Sequence, residues 1–114
     1  MLRNMMSVDR GLLSDGRDVV IYGTGRMALL TFTALLQEGV AVGAFCGEEC
    51  GSRIMGKPVI SPDEMKSRAD GALVVFAGES LASAEKEMAA LGIEDFWADV
   101  HAYSVVNDCV WSFM

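Results

Sequence analysis

Four uninterrupted apolar residues, Val19, Val20, Ile21 and Tyr22, run into Gly23-Thr24-Gly25 and then into a segment with helical spacing. An apolar run without alternation predicts a strand buried on both faces. Residues 26–38 follow as a helix, with Ala28, Thr31, Phe32, Leu35 and Leu36 on one broad stripe and Gly39 as its C-terminal stop. The next apolar run, residues 40–46, has strand length and no helical period. Together these predict one βαβ unit with a right-handed crossover.

The segment from 47 to 57 reads as a loop, and Pro58-Val59-Ile60 as a short edge strand, where the missing proline N–H is tolerated. Ser61-Pro62-Asp63-Glu64 predicts a helix start: Ser61 caps, Pro62 suits the first helical position, and Glu64 completes a capping box. That helix ends near Asp70-Gly71. Residues 72–77 predict another buried strand, closed by Gly78. A helix over 80–91 turns Leu81, Ala84, Met88 and Leu91 inward and Glu85, Lys86 and Glu87 outward, and Gly92 ends it. Residues 95–100 predict a fifth strand.

The ends of the chain are less regular. Met5, Met6, Val8, Leu12 and Leu13 fall on one short helix face, stopped by the turn signal Ser14-Asp15-Gly16. Val106, Val110 and Phe113 share a helix face in the apolar tail, with Val105, Cys109 and Trp111 beside it. The expected organisation is an N-terminal helical extension over 1–17, an α/β domain over 18–101, and an apolar C-terminal tail, helical, over 102–114. Strands alternating with helices predict a Rossmann-like three-layer sandwich. Its parallel sheet is expected to have five strands in the order 3-2-1-4-5, with a crevice beside strand 1.

Length and composition narrow the picture. A chain of 114 residues holds one core, and 52% hydrophobic residues against 22% charged ones exclude a largely disordered chain. No apolar run approaches the roughly 18 residues of a membrane span, and the N-terminus shows no secretory pattern. A cytoplasmic location without membrane partners is the expectation. A net charge of −7 argues against nucleic acid, which needs a basic surface. It leaves a single nucleotide open, because a helix terminus can hold phosphate without lysine or arginine. Three cysteines, an odd number, suit reduced thiols better than a disulfide framework.

The strand-to-helix turn carries the candidate chemistry. Gly23-x-Gly25-x-x-Ala28 has the spacing of a nucleotide-binding fingerprint, with alanine in the third glycine's place. Gly23 allows the tight turn, Gly25 lets backbone approach a phosphate, and Ala28 lets the helix pack close to the strand. The helix N-terminus then offers unpaired N–H groups and partial positive charge.

With these residues in view, the chain resembles a known group of domains. Ile21-Tyr22-Gly23-Thr24-Gly25, Val42-Gly43-Ala44-Phe45, Gly56-Lys57-Pro58-Val59-Ile60-Ser61-Pro62-Asp63-Glu64-Met65, Val74-Val75-Phe76-Ala77-Gly78 and Leu91-Gly92-Ile93 carry the likeness, which covers residues 17 to 100. It is similar to the N-terminal domains of the sialic-acid and bacillosamine acyltransferase family. It is also similar to the cofactor domain that begins some nucleotide-sugar dehydratases of polysaccharide biosynthesis. The resemblance implies a nucleotide-binding domain of a sugar-modifying protein. It implies a UDP-sugar or NAD as ligand or cofactor, held at Gly23, Thr24, Gly25, Arg26 and Met27. The chain departs from it at Cys46, where such domains often carry the acid that binds ribose hydroxyls, leaving Glu48 or Glu49 to reach instead. The hexapeptide repeats of the acyltransferases and the second domain of the dehydratases are not seen. The chain is therefore expected to be a piece of a larger protein or a free-standing relative.

Further candidates converge on the carboxyl ends of the expected strands: Cys46, Gly78, Glu79 and His101. Glu79 either binds a ribose or sugar hydroxyl or favours the start of the next helix by its charge. His101, the sole histidine, either acts in acid–base chemistry or is structural. Cys46 and Cys50 are expected to be idle thiols, their pKa values raised by the flanking acids, with no metal site. No catalytic residue is assigned, and the isolated chain is expected to be non-catalytic. An NAD-dependent oxidoreductase fragment and a structural or regulatory dimerisation module remain as alternatives. A homodimer, or attachment to a further domain through the tail, is the expected protein partner.

Overall fold

The computed structural model of the protein describes residues 2–4, 18–37, 39–48, 50–68, 71–93, 96–98 and 103. In chain order the elements are β1 (Leu2–Asn4), β2 (Asp18–Tyr22), α1 (Arg26–Gln37), β3 (Ala44–Cys46), β4 (Arg53–Ile54), β5 (Lys57–Ile60) and α2 (Pro62–Arg68). They continue with β6 (Ala72–Phe76), a 3₁₀ turn (Leu81–Ser83) that runs into α3 (Ala84–Ala90), and β7 (Phe96–Ala98).

All strands but one run parallel in a single sheet; β4 joins it antiparallel through β5. The order is β1-β7-β6-β2-β3-β5-β4. The expected sheet of five strands in the order 3-2-1-4-5 is corrected by this arrangement, because the chain adds a strand at each edge. Leu2–Asn4 pairs with β7, and Arg53–Ile54 forms a hairpin with β5 inside the segment expected as loop. Pro58 consequently does not lie on a free edge. It pairs with Arg53, and the β3–β5 ladder begins one residue later, at Val59, so the missing proline N–H breaks no parallel bond.

The centre follows from composition. Val19, Val20 and Ile21 of β2 are fully buried between β3 and β6, as an unbroken apolar run requires. Each contributes about 2 kcal/mol of apolar burial. Met27, Ala28, Thr31, Phe32 and Leu35 form the buried face of α1. Leu36, expected on that stripe, is instead 60% exposed, as are Leu29 and Leu30 at 42% and 43%. Among the described residues, Thr31 Oγ1 is buried without a hydrogen-bond partner. Gly39 N and Val40 N donate to Leu36 O and Leu35 O, and Gly92 N and Ile93 N donate to Ala89 O and Met88 O, so α1 and α3 close with the same paired bonds.

At α2 the expected cap forms, with Glu64 N donating to Ser61 Oγ at 3.2 Å. The Glu64 carboxylate pairs forward with Arg68 at 2.8 Å, and Arg68 lies 3.7 Å from Asp18 at the start of β2. The short helix face expected over Met5 to Leu13 lies outside the described residues. The helical tail does too, apart from Tyr103. Among the described residues no helix is long and apolar enough to cross a membrane.

The hairpin between β4 and β5 turns on Met55 and Gly56, both at positive φ (51° and 80°). A two-residue turn of this kind favours asparagine or glycine at its first position, and methionine is strained there. Met55 is 63% exposed, so its side chain returns little packing energy. Met55→Asn is therefore expected to raise stability by about 1 kcal/mol, read as a higher urea midpoint with an unchanged m-value. A lower midpoint would show that Met55 is held by contacts stronger than the strain.

Candidate functional site

From β2 the chain passes through α1 to β3 on one side, and it later returns to β6 on the other. Strands leaving the central strand in opposite directions leave an opening at their carboxyl ends. A crevice of about 690 Å³ lies there, within the range of small-molecule sites. Gly23 to Met27 line it after β2, Gly47 and Glu48 after β3, and Ala77, Gly78 and Glu79 after β6. Tyr22 and Glu87 complete its wall.

The glycine turn is shaped by contact between backbones. Gly23 has φ 133°, and a Cβ placed on it would stand 2.3 Å from Ala77 O. Its N–H donates to Cys46 O at 2.9 Å, while Ala77 N donates to Tyr22 O at 2.7 Å. The end of β2 is thus bonded to both neighbours, with no volume for a side chain. Gly25 differs: a Cβ there would meet nothing within 4 Å. It begins α1, since Leu29 N donates to Gly25 O. The space over it opens beside the unpaired N–H groups of the first turn.

Charge around this opening is uneven. The first turn of α1 contains no acidic residue, so its partial positive charge is not offset from within, and exposed Arg26 adds a full one. Thr24 leans across to β3, its Cγ2 2.4 Å from where a Gly47 Cβ would stand. Buried Met27 packs into the core beneath the turn. Glu87, expected to face solvent, also lines the crevice, where it accepts from Ser83 Oγ at 2.7 Å and from Tyr22 OH at 3.3 Å. Burial, then the Glu87 charge, holds the Tyr22 phenol above its usual pKa. Tyr103 donates to Gly78 O at 2.6 Å and stacks on Phe76, and burial followed by the Glu87 charge raises its pKa as well.

Of the expected site residues, the crevice brings together Gly23, Thr24, Gly25, Arg26, Met27, Glu48, Gly78 and Glu79. Cys46 stands apart. It is fully buried in β3, and burial pushes its thiol up to about 11. The flanking acids, expected to raise it, are not the cause. Cys46 belongs to the buried core cluster and does not line the crevice, which after β3 is lined by Gly47 and Glu48. Cys50 is exposed, and both thiols are free. Glu49 and His101 lie outside the described residues. No group of three or more metal-ligating side chains assembles among the described residues.

Four lining residues escaped the sequence reading: Tyr22, Gly47, Ala77 and Glu87. The first three were findable, because each ends or directly follows a strand whose carboxyl end had been located. Glu87 was not, because its helix position reads as solvent-facing and only the bonds from Tyr22 and Ser83 reveal otherwise. No protein-family model matches the chain, and no curated protein matches it at a significant level.

The contact at Gly23 generates a direct expectation. Gly23→Ala must move the end of β2 away from Ala77 and place alanine at a φ it rarely adopts, costing more than about 3 kcal/mol in urea denaturation. Gly25→Ala should change stability by less than about 1 kcal/mol. Equal effects at the two positions would contradict this account of the turn.

Proposed function

We propose that the crevice binds a phosphate-bearing nucleotide, either a UDP-sugar or an NAD-like dinucleotide, with a phosphate seated over Gly25. One observation carries the reading: Gly25 leaves open space at a helix N-terminus that no acid of its own first turn neutralises. Arg26 is placed to add a charge-assisted hydrogen bond. Glu48 and Glu79 supply acceptors for ribose or sugar hydroxyls. The wider architecture agrees with this reading, since right-handed crossovers would set α1 and α3 on opposite faces of the sheet, as in a doubly wound Rossmann-like domain.

The role is binding within a sugar-modifying or polysaccharide-biosynthesis protein, with the chemistry supplied elsewhere. The raised pKa values of Tyr22 and Cys46 keep both protonated at neutral pH and make neither a ready base or nucleophile. A second reading, an assembly module that keeps the fold with an idle crevice, draws on the exposed Leu29, Leu30 and Leu36 of α1. It requires a dimer in light scattering that loses affinity in Leu36→Glu.

Thermal denaturation with UDP-glucose, UDP, NAD and NADP tests the first reading, since a ligand at about 100 times its Kd adds about 2.7 kcal/mol to the folded state. At least one of these is expected to raise the Tm, and Gly25→Val should abolish the rise while leaving the unliganded Tm within about 2 °C. A Gly25→Val variant stabilised as strongly as the parent would refute a phosphate over Gly25.

A further inference from the structure

The outer face of α1 lacks the charge of a solvated helix. Its exposed residues are Arg26, Leu29, Leu30, Thr33, Leu36 and Gln37, and after Arg26 none is charged. By contrast, α2 exposes Asp63, Glu64, Lys66 and Arg68, and α3 exposes Glu85 and Lys86. A helix that is apolar all round is one covered on all sides, yet only one face of α1 is buried in the core. Leu29, Thr33 and Leu36 are spaced four and three residues apart, the spacing of a helix-pairing seam. Thr33, in the middle of that seam, donates its hydroxyl to Leu29 O at 2.9 Å, so covering it leaves no donor unmet.

We infer that this face docks a second copy of the chain, α1 against α1, crossing antiparallel about a two-fold axis near Thr33. The inference deepens the assembly reading of the exposed leucines and rests on it, but it holds whether or not the crevice takes a ligand. Charge selects the partner. Copies of a chain with net charge −7 repel one another, and contact costs least where the surface carries no acid. A partner rich in charge would find no opposite charge on the leucine face. Two-fold pairing uses the same patch on both subunits. Antiparallel crossing at Thr33 sets Leu29 against the partner's Leu36, and Leu36 against the partner's Leu29. The ends then match in charge. Arg26 and the positive end of one helix meet the negative end of the other, which Glu38 follows in the sequence. Parallel crossing would instead bring Arg26 to the partner's Arg26. Contact through one helix of 12 residues falls at the small end of interface sizes, so the dimer is weak and concentration-dependent.

Sedimentation velocity of the full chain across about 1–500 μM tests it, with Leu29→Lys, Leu36→Glu and the double variant beside the parent. Both positions are exposed, so the far-UV dichroism and Tm of the variants should match the parent's. The parent is expected to pass reversibly from monomer to dimer. Each single variant places an unpaired charge against a leucine and should weaken the dimer about tenfold or more. In the double variant Lys meets Glu at both ends of the seam, so it should dimerise about fivefold tighter than either single variant, and lose that gain in about 0.5 M salt. A parent that stays monomeric throughout, or a dimer that Leu36→Glu leaves intact, would overturn the pairing and the assembly reading together. Single variants that weaken the dimer, with a double variant no tighter than they are, would overturn the antiparallel pairing alone.

Discussion

Where β2 ends, the backbone of Gly23 is clasped between its neighbours: its N–H bonds to Cys46 of β3, and its Cα faces the Ala77 carbonyl after β6 across a gap too small for a methyl group. That contact fixes where the chain turns out of the sheet. It also fixes where α1 begins, three residues past Gly23, and so the direction in which the first N–H groups of the helix point. The crevice is the space left when β3 and β6 are both drawn to β2 at that end and their following loops diverge. Because a side chain at Gly23 would push β6 away, the shape of the site and the cohesion of the sheet depend on the same backbone approach.

The core supports that geometry from below. Val19, Val20 and Ile21 are buried on both faces of the sheet, and Phe76 at the end of β6 contacts three other rings: Tyr22, Phe96 and Tyr103. Such ring pairs add about 0.5–1.5 kcal/mol each beyond their buried area. Two members of the cluster bond crevice-lining residues with their hydroxyls, Tyr22 to Glu87 and Tyr103 to the Gly78 carbonyl. The crevice wall is therefore anchored in packed aromatic residues and not in loop backbone alone, which keeps the carboxylate of Glu87 in one place.

How much of this could be read in the sequence depended on how local the cause was. The β2–glycine–α1 passage was legible because an apolar run, two glycines and a helical stripe act within about one strand and one helix of each other. The cap at Ser61 was legible for the same reason, although Glu64 spends its carboxylate on Arg68. The edges were not. Arg53–Ile54 is too short to show alternation, and Met55 in place of asparagine hid the hairpin turn. Leu2–Asn4 is a strand only because β7 is beside it. Side-chain direction was the other blind spot. Leu36 fitted the helical stripe yet is exposed, and Cys46 sits on the site's strand but is fully buried in the core. Both outcomes are tertiary, and periodicity alone does not contain them.

The central claim is that the amides at the start of α1 are an anion seat. Amide chemical shifts during titration with UDP-glucose, and separately with NAD, test it most directly. The account predicts that for at least one ligand the largest saturable changes fall on Gly25, Arg26 and Met27, with smaller ones at Glu48 and Glu79. Changes centred instead on the β4–β5 hairpin or on the exposed leucines of α1, with Gly25 to Met27 unmoved, would contradict it.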